Sequence, residues 1–323
     1  MKMKKCCILF NQPREDALPD ELDVLDQVEY IEKNLNLMGI ETYRKGITAD
    51  FMHEIGTLVS EKPDFVFNLV ESIDNKGELC YFTPALLNLH SIPYTGNPLE
   101  AMFITTSKAL THKILTERNI PTPAAYLPSR CNMLKPGNRY IIKPIWEDGS
   151  LGITGDSVFT FSDSQKEKLA TYDDSHWIIQ DYIDGREFNI SGVHDHTGPE
   201  VMPPAEMVFH NFDDSLPKIV DFRAKWIEDS FEYKNTIRDF PGDKLSPVLV
   251  GKIRDIALQC WEVFGLKGYA RVDMRVDNND NPYVIEVNAN PCMSPDSGLV
   301  AATTQAGIPI TEVLKRIISD LNH

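Results

Sequence analysis

The sequence lacks the spacing that would make its cysteines a metal or disulfide framework. Its six cysteines, Cys6, Cys7, Cys80, Cys131, Cys260 and Cys292, include no C-x-x-C pair, which argues against a structural zinc site and a stapled secreted scaffold. Reduced thiols in a cytoplasm are expected, with Cys7 and Cys260 at apolar core positions. Apolar residues never run for the ~20 positions that a membrane span needs. The start, MKMKKCCILF, is basic and then apolar like a secretion leader. Its apolar part is too short, and a small-residue cleavage site is missing; Cys6–Phe10 is read instead as a buried first strand. Positive charge is also scarce: 32 Lys and Arg stand against 48 Asp and Glu, for a net charge of −16. That balance offers no broad basic face, which argues against a nucleic-acid partner but leaves room for a small anionic ligand met by a few local cations. Neither a low-complexity run nor an internal repeat is found.

What is present reads as a globular chain of 323 residues, 42% hydrophobic and 25% charged, long enough for two or three domains. Residues 1–98 alternate strand and helix patterns and predict a mostly parallel α/β sheet. There Glu21–Met38 carries Leu22, Leu25, Val28, Ile31, Leu35 and Met38 on one helical stripe, ended by Gly39. Phe65–Val70 reads as a strand, Thr83–Leu89 as a helix and Ile92–Thr95 as a short strand. Residues 99–187 predict a helix over Thr106–Arg118 and then a small antiparallel α+β module. In that module a strand pair turns around Asp184-Gly185. Residues 188–323 add further strands, an amphipathic helix over Val248–Phe264 and C-terminal helices.

The most telling stretch is 268-GYARVDMRVDNNDNPYVIEVN-288. Two strand-like runs flank Asn278–Asn281, a turn composition. A hairpin centred there sets Asp273 opposite Glu286 and Arg271 opposite Asn288. Strict alternation puts Val284 on that polar face, with Ile285 and Val287 on the apolar one. Two carboxylates ~5 Å apart repel by about 3 kcal/mol at an effective dielectric near 20. A shared proton or a hard cation such as Mg2+ would relieve this; so would simple exposure of the hairpin face to water.

Other segments offer single chemical groups. Lys143 ends a β-run before Asp148-Gly149-Ser150-Leu151-Gly152, where glycines allow backbone N–H groups near a phosphate. An ordinary Gly-Ser turn reads the same way. Lys108 lies near a helix start, where anions are favoured, as any surface lysine could. In 177-WIIQDYIDGRE-187, Gln180 and the strand end to Ile183 could read an adenine edge and Glu187 a ribose. Lys225 falls in what reads as a strand, between Ala224 and Trp226.

Their order along the chain, with the phrases 92-IPYTGN-97, 107-SKALTHKIL-115, 120-IPTPA-124, 141-IIKP-144, 183-IDGREF-188, 269-YARVDM-274, 285-IEVNANP-291 and 305-QAGI-308, resembles the ATP-grasp superfamily, and within it the D-alanine–D-alanine ligase branch. The resemblance implies a three-domain fold: an N-terminal α/β domain (1–98) and two α+β domains (99–187 and 188–323) that clasp ATP. It implies an ADP-forming carboxylate–amine ligase acting through an acylphosphate on amino acid or peptide substrates, and it is compatible with a homodimer. Under it Lys108, Lys143 and Lys225 bind ATP phosphates, and Ser150 belongs to a closing loop. Gln180 and Ile183 meet adenine, and Glu187 the ribose. Asp273, Glu286 and Asn288 hold two Mg2+, or Mn2+, while Arg271 stabilises the reacting oxyanion.

The resemblance thins on the amino-acid side. The family's Gly-Gly-x-Ser-x-Glu segment, whose Glu holds the first substrate's ammonium, is replaced by 10-FNQPREDALPDE-21. Glu15 or Asp16 are the substitutes at hand, and Arg14 brings an opposing charge. A His-Gly segment gives way to 68-NLVESIDNKGEL-79, and a Pro-Gly to Pro291-Cys292. Trp226 stands for a tyrosine, while Ser297 keeps the place of the serine for a substrate carboxylate. The expectation is a ligase with a substrate pair other than two D-alanines. A true D-alanine–D-alanine ligase, a ligase of peptide ends and an ATP-binding protein without catalysis are the alternatives.

Overall fold

The computed structural model of the protein describes residues 4–213 and 215–322; the basic start, Met1–Met3, lies outside them. The first strand, β1 (Lys5–Asn11), is buried from Cys6 to Phe10. It is buried on both faces because it is the centre of a parallel sheet of order β2-β1-β3, with β2 at Glu41–Ile47 and β3 at Phe65–Leu69. Alternate residues go to opposite sides. Cys6, Ile8 and Phe10 meet Val24, Val28, Ile31 and Leu35 of α1 (Pro19–Leu37). Cys7 and Leu9 meet Ile55, Leu58 and Leu87 of α2 (Phe51–Glu61) and α3 (Phe82–Leu89). Val24, not Leu22 or Leu25, continues the buried stripe of α1, and both of those leucines are exposed. Ile92–Thr95 forms no strand; Tyr94 makes single bridges to Val66 and Asn322.

The helix expected over Thr106–Arg118 is α5 (Lys108–Glu117), preceded by a separate helix that was not expected, α4 (Leu99–Thr106). Ser107 separates them in an extended conformation, and its hydroxyl caps α5 by accepting from the Leu110 N–H at 3.3 Å. By core membership, α4 and α5 do not side with the central unit. Ala101, Met102 and Leu115 pack with the C-terminal elements. The core of the central unit itself runs from Cys131 to Ile179.

That unit is an antiparallel sheet of order β4-β7-β5-β6: β4 (Ala125–Tyr126), β5 (Arg139–Pro144), β6 (Val158–Thr160) and β7 (Trp177–Asp181), with the short helix α6 (Lys166–Leu169). The next strand, β8 (Arg186–Asp195), does not pair with β7 as the strand-pair reading expected. It opens a second sheet of order β11-β10-β8-β12-β13, with β9 (Gly198–Val201) on the side of β8. The other strands are β10 (Ala205–Phe209), β11 (Thr236–Asp239), β12 (Tyr269–Val276) and β13 (Pro282–Asn288). Residues 182–185 are therefore the passage from one sheet to the other. Gly185 has φ +141°, and a Cβ there would lie 2.1 Å from the Val276 carbonyl oxygen, so only glycine fits the crossing. Helices α7 (Phe222–Trp226), α8 (Phe231–Asn235), α9 (Pro247–Phe264), α10 (Gly298–Gln305) and α11 (Ile310–Ser319) complete the fold. Among the described residues no helix is long and apolar enough to cross a membrane.

Candidate active site

The hairpin β12–β13 pairs as its sequence suggests, Arg271 with Asn288 and Asp273 with Glu286. One detail differs. The register slips after Asp273, so that Met274 pairs with Val284 and Ile285 is an extra residue. This β-bulge inverts the alternation beyond it. Val284 goes to the core with Val287, while Ile285 joins Glu286 at the cavity wall. The bulge is what lets one strand hold a buried valine two residues from a functional carboxylate.

The repulsion between Asp273 and Glu286 is offset by the protein's own cations. Arg271 forks onto Asp273 through two 2.7 Å bonds, and Asn189 donates to the same carboxylate at 2.9 Å. Burial works against charge on Glu286, but Lys108, Arg271, Lys143 and Lys225 hold its pKa below the usual carboxylate range. A carboxylate has about four lone-pair sites, so the Asp273 oxygens keep acceptor capacity. Asn288 faces the adjoining chamber, its side-chain oxygen accepting from the Asn290 N–H at 2.8 Å. Two carboxylates and an amide oxygen are the donor set that a hard cation takes together with substrate phosphates.

Asp273 and Glu286 open onto a cavity of ≈ 470 Å³ between the two antiparallel sheets, inside the ~300–1,000 Å³ range of small-molecule sites. Lys143, Ser150, Gln180, Ile183, Glu187 and Lys225 line it, as does Ser297. Lys143 is 7% exposed. Burial, with Lys108 adding like-charge repulsion, lowers its pKa to about 8. The Gln180 carboxamide oxygen is buried without a partner. Glu187 receives a 3.0 Å bond from Arg275, which pins one of its oxygens. Lys108, 5% exposed, does not line this cavity. It borders a crevice behind Glu286 and is paired with Asp148 at 3.3 Å and with the Glu147 carbonyl.

The loop after β5 is folded down over the site. Gly149, Ser150 and Gly152 all have left-handed φ, +65°, +67° and +74°; for Ser150 that costs on the order of 1 kcal/mol. Contacts to the opposite domain hold it: Ser150 donates to the Val220 carbonyl at 2.6 Å and Trp226 to the Gly149 carbonyl at 3.0 Å. Lys225 is not in a strand as expected but in α7, capped by Asp221. The short helix turns Lys225 toward the loop and cavity and Trp226 onto the loop.

A second chamber of ≈ 240 Å³ adjoins the first and shares Asp23, Lys225, Arg271 and Cys292 with it. Glu15 lines neither and is exposed in a turn before α1. Arg14 also stays out, its nearest ion pair being Glu21 at 3.7 Å. The carboxylates of this chamber come instead from Glu21 and Asp23 in the first turns of α1, from Glu71 after β3, and from Glu147 and Asp148 in the loop after β5. An ammonium in this chamber would therefore meet carboxylates other than Glu15. Surrounding protein, with Asp23 and Asp148 adding repulsion, pushes the Glu71 carboxyl upward, although water in the open chamber screens part of that push. Sequence reasoning missed Asp23 because it sought a loop carboxylate; the i, i+4 pair Asp23 and Gln27, facing one way on an acidic helix start, was the available sign.

Cys292 donates to Asp23 at 2.9 Å, and burial beside that carboxylate raises its thiol pKa far above the ordinary value. A thiol so held is no nucleophile. Cys292→Ser should keep kcat within about tenfold of the parent, under ~1.4 kcal/mol of barrier, as steady-state ADP formation will report.

The family described as D-ala D-ala ligase C-terminus matches residues 135–319, more than half of the chain. The chain belongs to this family. A D-alanine--D-alanine ligase of Pseudomonas fluorescens is 26% identical over 88% of this chain and 82% of its own length. Among solved structures, the D-alanine--D-alanine ligase from Bacillus anthracis complexed with ATP superposes with a TM-score of 0.71 at 22% identity, covering 98% of this chain and 96% of that one. VanG D-Ala:D-Ser ligase from Enterococcus faecalis gives 0.74 at 16% identity, with 98% and 99% covered. The fold is thus the ATP-grasp architecture of the D-Ala–D-Ala ligase family. The enzyme class is that of an ATP-dependent, ADP-forming ligase.

Proposed function

We propose that the protein joins an amino acid to the amine of a second amino acid, activating the first carboxylate by ATP as an acylphosphate. The observation that carries this reading is the continuity of the two chambers. A cavity that brings Lys143 and Lys225 beside a strand end with an unpartnered carboxamide oxygen leads past Arg271 into a chamber lined with carboxylates that suits an α-ammonium.

In this reading Gln180 and the backbone to Ile183 receive adenine, Glu187 the ribose, and Lys143 and Lys225 the phosphates. Lys108 backs the γ-phosphate position by compensating Glu286. Asp273, Glu286 and Asn288 hold Mg2+, which when bound would neutralise charge on the triphosphate. Asp23 and Glu71 seat the first substrate's ammonium, taking the role first sought at Glu15, so that its carboxylate turns toward Arg271. Its oxygen attacks the γ-phosphorus and ADP leaves; the second substrate's amine then attacks the acyl carbon, and phosphate leaves. Arg271 stabilises the oxyanion that forms in that second step. Ser297 receives the second substrate's carboxylate, and the loop from Gly149 to Gly152, latched by Val220 and Trp226, keeps water from the acylphosphate.

An α-amino acid such as D-alanine as the first substrate fits the acidic chamber directly. Incubation with Mg2+, ATP and a matrix of amino acid pairs is expected to yield ADP and phosphate in step with dipeptide. Formation of AMP and pyrophosphate, or ATP turnover that ignores the amino acids, would refute the reading.

A further inference from the structure

Strand β11 carries two polar residues on one face, Thr236 and Arg238, two positions apart. Both line the main cavity, near Ser297 and Gly298 at the start of α10. Each keeps a polar atom that is buried and unpartnered: the Thr236 hydroxyl and the Arg238 Nε. Thr236 is 9% exposed. Arg238 gives one bond, from Nη1 to the Asp296 carbonyl at 2.9 Å, and its Nη2 lies 3.9 Å from where a Cβ on Gly298 would stand. A guanidinium has five N–H donors and stays charged in proteins. The charges around it are Arg271, which repels it, and Asp296, which attracts it; Asp296 is exposed and accepts from the Ser294 hydroxyl at 3.0 Å.

A buried donor without a partner is costly unless a ligand satisfies it. Here a hydroxyl and a guanidinium on one strand face converge at the acceptor end of the cavity. In the ligase reading Ser297 already takes the donor's α-carboxylate, so this pair is an additional anion receptor. We propose that Thr236 and Arg238 determine specificity for the amine-donating substrate by binding a second carboxylate on it, so that the donor is an acidic amino acid. This rests on the ligase reading above and names its second substrate. The planar fork of Arg238 matches a carboxylate in two parallel bonds, and the Thr236 hydroxyl can donate to the same group.

The test is steady-state ADP formation with a fixed first substrate and donors of both enantiomers of aspartate, glutamate, alanine and serine. Parent enzyme, Arg238→Gln, Arg238→Lys and Thr236→Val are compared, each checked for its melting temperature. An acidic donor is expected to have the highest kcat/KM in the parent. Breaking an ion pair in such a site costs at least about 2 kcal/mol. The acidic-to-neutral ratio should therefore fall by ~30-fold or more in Arg238→Gln, through KM more than kcat, and be partly restored in Arg238→Lys. If a neutral donor is preferred by the parent, or if Arg238→Gln weakens acidic and neutral donors alike, the inference is wrong while the ligase reading stands. If no pair of substrates gives ADP, both fall.

Discussion

Replacing Asp273 or Glu286 by alanine is expected to lower kcat by at least about a hundredfold, because each removes an oxygen donor from the face where transferred charge is neutralised. The two variants should not behave alike when free of ligand. Asp273→Ala leaves Arg271 without the fork that now satisfies it, so a buried cation loses its partner and the melting temperature should drop. Glu286→Ala instead removes the anion that Lys108 and Lys143 lean on. Turnover with saturating Mg2+ and ATP, measured beside thermal unfolding, checks both. Near-parental kcat in either variant rules out the assigned metal face.

Lys143→Met should do the reverse to stability. The folded pKa of Lys143 is about 8, below the lysine value of 10.5, chiefly through burial. The unfolded chain therefore binds that proton more tightly. Stability from this group rises with pH between about 8 and 10.5, and below 8 the folded protein carries an unfavourable charge. Removing the charge is expected to raise the melting temperature at pH 7 and to flatten its rise toward pH 10. Losing a charge-assisted phosphate contact should at the same time cut kcat/KM for ATP by about thirtyfold to a hundredfold. In the parent enzyme kcat/KM for ATP should decline as pH rises through about 8, where free Lys143 becomes neutral. A variant with unchanged ATP kinetics would mean that Lys143 does not touch phosphate.

Much of the ATP side was legible because its groups sit on strands with period two and on turns with characteristic residues. The pairing of Asp273 with Glu286 follows from counting outward from one turn. What the count could not contain is the slip at Ile285, since a bulge depends on how β8 and the core take up β12 and β13. Lys225 was misassigned because five residues are too few to show a helical period, and the Asp221 cap is a local contact. The β7 and β8 pairing failed because Asp184-Gly185 looks like a hairpin turn, whereas Gly185 serves a close crossing between sheets. Arg238 could not be found at all from the sequence. Its strand is four residues long, and its meaning depends on the order β11-β10-β8 and on α10 arriving beside it from some sixty positions away.

The packing of α10 and α11 bears on how the chain comes to be folded during synthesis. Leu299, Val313, Leu314 and Ile317 complete the same core as Ile8, Phe67 and α1. Tyr94 and Asn322 exchange backbone hydrogen bonds at 3.2 and 3.0 Å, and the Asn322 amide donates to the Gly96 carbonyl at 2.8 Å. The parallel sheet, made before these helices, thus has one apolar face covered by α1 but not completed until residues 310–322 have emerged. At roughly 5–20 residues per second, that interval is tens of seconds. During it that core lacks the side chains of α10 and α11, and a chain cut short before α11 is left without Val313, Leu314 and Ile317 in it.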